Sequence, residues 1–212
     1  MLLDPSFFPY TEELLTRYAD ISAIAGHNRP CKHLPIAADY DFSNYFEHCG
    51  WASWLRAWSK YDHAIGRWRD TILWQDICQR VLPQNRTRWY WNRISGRVVN
   101  QRVDSWAYRF LLNIWNERGC AIIHKNNLTK TIGSFSPTVT QVVYLKDTVF
   151  PAPPVDLLLK HPEQITIDSV VDQSFEDGVR CMALAVRLGR CVRMLHRGFS
   201  HLCSCSGKRR QS

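Results

Sequence analysis

No window of 18 consecutive apolar residues occurs in this 212-residue chain, so a membrane-spanning helix is not expected. The N-terminus also lacks a basic stretch followed by an apolar one, which argues against a secretory signal. The eight cysteines (31, 49, 78, 120, 181, 191, 203 and 205) fit no zinc-module spacing. Only Cys203 and Cys205 come close together, and a CxC metal site there lacks partner ligands. Free thiols in a reducing, cytoplasmic compartment are the expectation. Residues 180–212 contain no Asp or Glu.

What is present is aromatic. Nine Trp, eight Tyr and nine Phe supply ample apolar area, so a globular body with a real core is expected rather than disorder. Net charge is +8, but its placement matters more than its size. Eight of the 27 Lys and Arg lie in 180–212, leaving 19 against 19 Asp and Glu in the other 179 residues. The body is therefore neutral. Its aromatics fall on apolar stripes, so the basic balance does not point to nucleic acid.

Read in order, Asp4-Pro5 reads as an N-cap and first-turn proline ahead of a helix through Tyr18. Residues 21–26 (ISAIAG) have strand length, and Gly26 to Tyr40 is loop-like. After a turn at Gly50, Trp51, Trp54, Trp58 and Tyr61 recur at i, i+3, i+7 and i+10, the spacing of one helix face. Such a stripe is core more often than ligand platform. A helix over 68–82 ends at Pro83, and 87–94 is a further aromatic, basic segment. Residues 120–124 (CAIIH) read as a buried strand, with a turn at Asn126-Asn127. Alternating helices and short strands predict an α/β fold.

The best-defined helix lies in 101–119. Trp106, Phe110, Ile114 and Trp115 recur at helical spacing and Gly119 supplies the stop. Asp104 opens it, either as the N-cap or as a carboxylate positioned as a base at the helix's positive end.

Three segments carry a resemblance: DPSFFPYTEELLTRY with ISAIAGHN, GWASWLRAWSKYD, and RVDSWAYRFLLNIWNERGCAIIHKNNLTKTIG. Together with LLLKHP at 157–162, the chain resembles the GT-A nucleotide-diphospho-sugar transferases, in particular bacterial family-two-like, hemolytic-protein (HlpA)-like members, over residues 2–178. The resemblance implies the C-terminal part of a GT-A fold, a nucleotide-sugar donor, an acceptor substrate and a divalent metal, Mn²⁺ or Mg²⁺. It makes Asp104 the base that deprotonates the acceptor hydroxyl, and places Gly50, Trp51, Trp54 and Trp106 on the substrate side.

The chain departs from the family in two places. Met1-Leu2-Leu3 stands where the acidic metal motif is expected, and Thr138-Val139-Thr140-Gln141 stands where relatives carry a His. The expectation is a truncated transferase domain over 1–178, active or inactive, whose metal ligands are not found in the chain.

In 179–212, Leu188, Val192, Leu195 and Phe199 oppose Arg187, Arg190, Arg193 and Arg197. This predicts a basic amphipathic helix followed by disorder. Its alternatives are adsorption to an anionic membrane or acidic partner, peripheral at the inner membrane face, a helix packed on the body with a solvated basic side, and a sequence not native to the domain. A non-enzymatic protein acting through that helix is the competing reading of the whole chain.

Overall fold

The structure is a computed structural model that describes residues 2–28, 34–130 and 158–178. Its body is α/β, as the alternation of elements predicts. A four-stranded mixed sheet is built from β2 (Ala23–Ala25), β3 (Tyr40–Ser43), β4 (Trp51–Ala52) and β5 (Ala121–His124), in the order β3-β5-β2-β4. β2 and β5 run parallel, with Ala23, Ile24 and Ala25 opposite Ala121, Ile122 and Ile123. β3 and β4 add antiparallel on the two outer sides. A small separate ribbon pairs β1 (Leu2–Leu3) with β6 (Thr129–Lys130).

Successive residues of a strand face opposite sides, and both sides of this sheet are covered. On one side Ile24, Tyr40, Phe42 and Ile122 pack under α1 (Phe7–Arg17), which contributes Phe7, Tyr10 and Leu14. On the other, Ala23, Ala25, Ala121 and Ile123 pack under α3 (Thr71–Arg80), α4 (Asn85–Val99) and α5 (Trp106–Asn116). The small Ala side chains leave room for Phe110, Ile114 and Trp115 of α5. This two-sided burial explains why β2 and β5 read as unbroken apolar runs.

Several local expectations are corrected. Asp104 is not the N-cap of α5: Ser105 is, its hydroxyl accepting the Tyr108 N–H at 3.4 Å. α5 ends in a Schellman turn, with Gly119 N–H on the Ile114 carbonyl at 2.8 Å and Arg118 N–H on that of Trp115 at 3.3 Å. The left-handed residue is thus Arg118 (φ +55°), not Gly119. A Cβ at Gly119 would stand 2.3 Å from the Ser22 Oγ, so a side chain there would require the Ser22 hydroxyl to turn aside.

The tryptophan stripe is not one helix. Trp51 lies on β4, and only a single turn, α2 (Leu55–Trp58), follows. Further on, the predicted helix over 68–82 is two elements, a 3-10 turn at Gly66–Arg69 and then α3, whose N-cap Asp70 accepts from Ile72 and Leu73. α4 runs straight through Gly96. At the N-terminus, Asp4 accepts from Ser6 N–H and Oγ–H one step ahead of α1.

A last helical stretch, α6 (169–178), is capped by Asp168, which accepts from Val170 and Val171. Its Asp172 carboxylate receives the Ser43 hydroxyl at 2.6 Å, the Asn44 Nδ2 at 2.7 Å and the Asn44 N–H at 3.0 Å, tying α6 to the end of β3. Segment 131–157, with its Thr138–Gln141 departure, and the whole tail from 179, with its predicted amphipathic helix, lie outside the described residues.

Candidate functional site

In open parallel sheets ligands gather at the carboxyl ends of the strands. Here that end is where Gly26 follows β2. Gly26 N–H bonds the Gly50 carbonyl at 2.8 Å, and Leu128 N–H bonds the Gly26 carbonyl at 2.7 Å. Gly50 holds a left-handed φ of +65°, and a Cβ on it would lie 2.3 Å from the Thr129 Cγ2 and 2.9 Å from the Leu3 Cδ2. Only glycine lets the β1–β6 ribbon press against this corner. Gly50 therefore shapes the site's edge without offering a side chain.

Directly after it, Trp51 opposes Ala25 across the sheet. The turn between α5 and β5 brings α5 back antiparallel to β5, so the start of α5 arrives at the same end. Trp106 thereby lies 5.1 Å from Trp51, ring centre to ring centre, with the planes 33° apart. Trp58 joins at 5.7 Å from Trp51 and is stacked on Tyr61 at 5.0 Å. Phe46 and Phe110 lie behind as the buried floor. Trp58 and Trp106 remain 40% and 37% exposed, so two indoles of the cluster present ring surface to solvent.

The polar rim is set by α5 and the β3–β4 loop. Asp104, two residues before Trp106, has a side chain 94% exposed, and its carboxylate accepts from the Arg109 Nη1 at 2.9 Å while the Arg109 side chain is only 5% exposed. The His48 ring stands edge-on to Trp106 at 5.8 Å. The buried Glu47 carboxylate lies 4.0 Å from the His48 Nδ1. Sequence reasoning missed Glu47, His48 and Arg109. The only signal for the first two was their position just ahead of Gly50-Trp51.

Of the residues expected on the substrate side, Gly50, Trp51 and Trp106 come to this one corner, and Asp104, the expected base, stands just ahead of α5, two residues before Trp106. Trp54 does not. Its indole N–H is donated to the Leu15 carbonyl at 3.0 Å and its ring packs with the α1 side of the core, under the Arg56 guanidinium at 5.0 Å. No family model, no curated protein and no solved structure matches this chain. The site must be read from its own geometry.

Deeper at the same end, His124 closes β5. Burial of its imidazole lowers its pKa to about 4, against a partial upward pull from the Asn126 carbonyl, which its Nδ1 meets at 2.9 Å. It is a neutral core histidine whose ring sits edge-on to Tyr10 at 4.9 Å. Close by, His27 Nδ1 pairs with the Thr129 hydroxyl at 3.0 Å.

The implied divalent metal finds no fitting donors. Among the described residues no three His, Cys, Asp or Glu side chains converge as a ligand set for Mn²⁺ or Mg²⁺. A separate cavity of about 550 Å³ opens at the opposite, amino end of β5, between Cys120, Arg118, Gln84 and α6. Its buried carboxylate Asp172 has a raised pKa because burial outweighs the three hydrogen bonds it accepts. Those bonds give it a structural task.

Proposed function

We propose that the body of this chain is related to the acceptor side of a GT-A-like sugar transferase and that the Trp51–Trp58–Trp106 cluster receives a sugar ring. The observation that carries this reading is the Asp104 carboxylate, open to solvent two residues ahead of Trp106 in the chain and held by Arg109 at 2.9 Å. A pyranose has an apolar C–H face and a polar rim. An indole face with its negative quadrupole suits the former, and nearby hydrogen-bonding groups suit the latter.

In the proposed reaction the acceptor hydroxyl oxygen bonds to the anomeric carbon of a nucleotide sugar and its proton passes to Asp104. The bond from that carbon to the diphosphate breaks, and its electron pair leaves with the nucleoside diphosphate. The chain's own contributions are the base, its ion-pair anchor and the stacking surface. Arg109 anchors the Asp104 carboxylate through their 2.9 Å ion pair, which positions it as a base.

The test is calorimetric titration of the full chain with UDP and GDP, with and without Mn²⁺, followed by release of nucleoside diphosphate from the matching nucleotide sugar. Binding, together with turnover reduced on the order of a hundredfold or more in Asp104→Asn, supports the proposal. A folded sample that binds neither nucleotide overturns the transferase reading, and undiminished turnover in Asp104→Asn overturns the assigned base.

A further inference from the structure

Residues 77–103 contain six arginines, no lysine and no acidic residue, and most of them belong to α4. The helix has two distinct sides. Thr87, Trp91, Ser95 and Val98 are buried at i, i+4, i+8 and i+11, fixing the side that faces the core. Opposite them Trp89, Arg93 and Arg97 are exposed at i, i+4 and i+8, a straight row roughly 12 Å long. Exposed Arg102 follows just past the helix end.

Two of the other arginines are already engaged. Arg80 reaches Asp76 and the Trp115 carbonyl, and Arg88 caps α3 through the Leu82 and Cys78 carbonyls. Arg93, Arg97 and Arg102 have no carboxylate partner among the described residues, although other surface cations of this body do, Lys60 with Glu117 and Arg118 with Asp76 among them. Trp89 is 50% exposed, and the Arg93 guanidinium lies 5.9 Å from its ring centre.

We infer that the outer face of α4 docks on an anionic phospholipid surface, with Arg93, Arg97 and Arg102 on headgroup phosphates and Trp89 at the headgroup boundary. An acid-free row of uncompensated guanidiniums calls for an anionic partner, and guanidinium forks match phosphate oxygens in pairs. The half-exposed indole distinguishes lipid from other polyanions, because Trp favours the interface between headgroups and acyl chains. Single-stranded nucleic acid is held by successive bases stacking on several aromatics. Here Trp91 is buried and only Trp89 of this segment's tryptophans is exposed. Its arginines are other than those of 180–212 in the sequence, and the inference is independent of any sugar chemistry at Asp104.

The experiment is co-sedimentation of the full chain with phosphatidylcholine vesicles, with and without phosphatidylglycerol. Variants are the triple substitution Arg93→Gln/Arg97→Gln/Arg102→Gln, the matching triple change to Lys, and Trp89→Ala. All four positions are exposed, so the fold is preserved, and the basic tail contributes equally to every protein. Binding that requires phosphatidylglycerol, falls about tenfold or more in the Gln triple, is largely kept in the Lys triple and weakens in Trp89→Ala supports the docking face. Equal vesicle binding by wild type and Gln triple overturns it. So does an effect of the triple on single-stranded oligonucleotide binding with none on vesicles.

Discussion

The guanidinium of Arg109 is buried, while the carboxylate it grips, that of Asp104, stands almost wholly in water 2.9 Å away. The pair links a fixed interior cation to a free-standing acid. Removing the acid leaves that cation short of its strongest acceptor, although solvent at the mouth softens the loss. Asp104→Asn is expected to cost about 1–2 kcal/mol of stability, seen as a fall of about 2–8 °C in melting temperature for a body of this size. Arg109→Met, which removes the interior charge itself, should cost no more than that. A larger loss in Arg109→Met than in Asp104→Asn would show that the side chain matters chiefly through packing.

Trp106 and Trp54 separate binding from stability. Trp106→Ala removes a partly exposed ring, so it should cost about 1–2 kcal/mol of stability and abolish any sugar-induced change in tryptophan fluorescence. Trp54→Ala strips a half-buried ring that packs on the core and removes the donor to the Leu15 carbonyl, costing about 2–3 kcal/mol without changing ligand specificity. Urea melts paired with fluorescence titration check both. A Trp54→Ala protein that is stable and has lost sugar response would reverse the assignment.

Gly50→Ala is expected to destabilise by about 2–4 kcal/mol, from a left-handed backbone and from overlap with Thr129 and Leu3. The double change with Thr129→Ser removes the Cγ2 that would be struck yet keeps the hydroxyl that meets His27. It should recover the steric part and leave the backbone part. Thermal denaturation of the three proteins measures the division, and a double variant no better than Gly50→Ala would place the whole cost in the backbone.

The pH dependence follows from His124. Its folded pKa is about 4 and its ordinary value 6.5, so between these the unfolded chain binds the extra proton. Stability is therefore full above pH 6.5 and declines as pH falls toward 4, by a total on the order of 3 kcal/mol. Burial of Asp172 works oppositely: its raised pKa favours the protonated folded state and offsets part of the acid-side loss. Chemical denaturation from pH 7 to 4 should show the decline, and His124→Asn, which can keep the turn bond to residue 126, should flatten it. An unchanged slope in that variant would assign the effect elsewhere.

The parts legible in the sequence were those whose cause is local. The strands at 21–26 and 120–124 are apolar because both faces are covered, and the α5 stripe survives because Phe110, Ile114 and Trp115 face one core. The tryptophan stripe misled because its spacing fits a helix while Trp51 is held by pairing with Ala25, a partner no local window contains. Asp104 and Ser105 are both residue types that favour the N-cap position. Arg109, five positions on, draws the carboxylate away and leaves the cap to serine. At the candidate site Trp51 and Trp106 were legible as types. Their juxtaposition, and the arrival of His48 and Arg109 beside them, depends on how α5 packs across β4.

The order of the sheet also sets the order in which it can be made. β5 lies between β3 and β2, pairing Tyr40 with His124 on one side and Ala23 with Ala121 on the other. On the ribosome β2, β3 and β4 emerge first. Only β2 and β4 can join, so β2 keeps one bare apolar edge and β3 two until residues 121–124 appear. Assembly is thus dominated by contacts distant in sequence, which makes for slow folding and a nascent chain prone to stick to its neighbours. Of the two inner strands, one is the last of the four to arrive, and the sheet cannot close before it does.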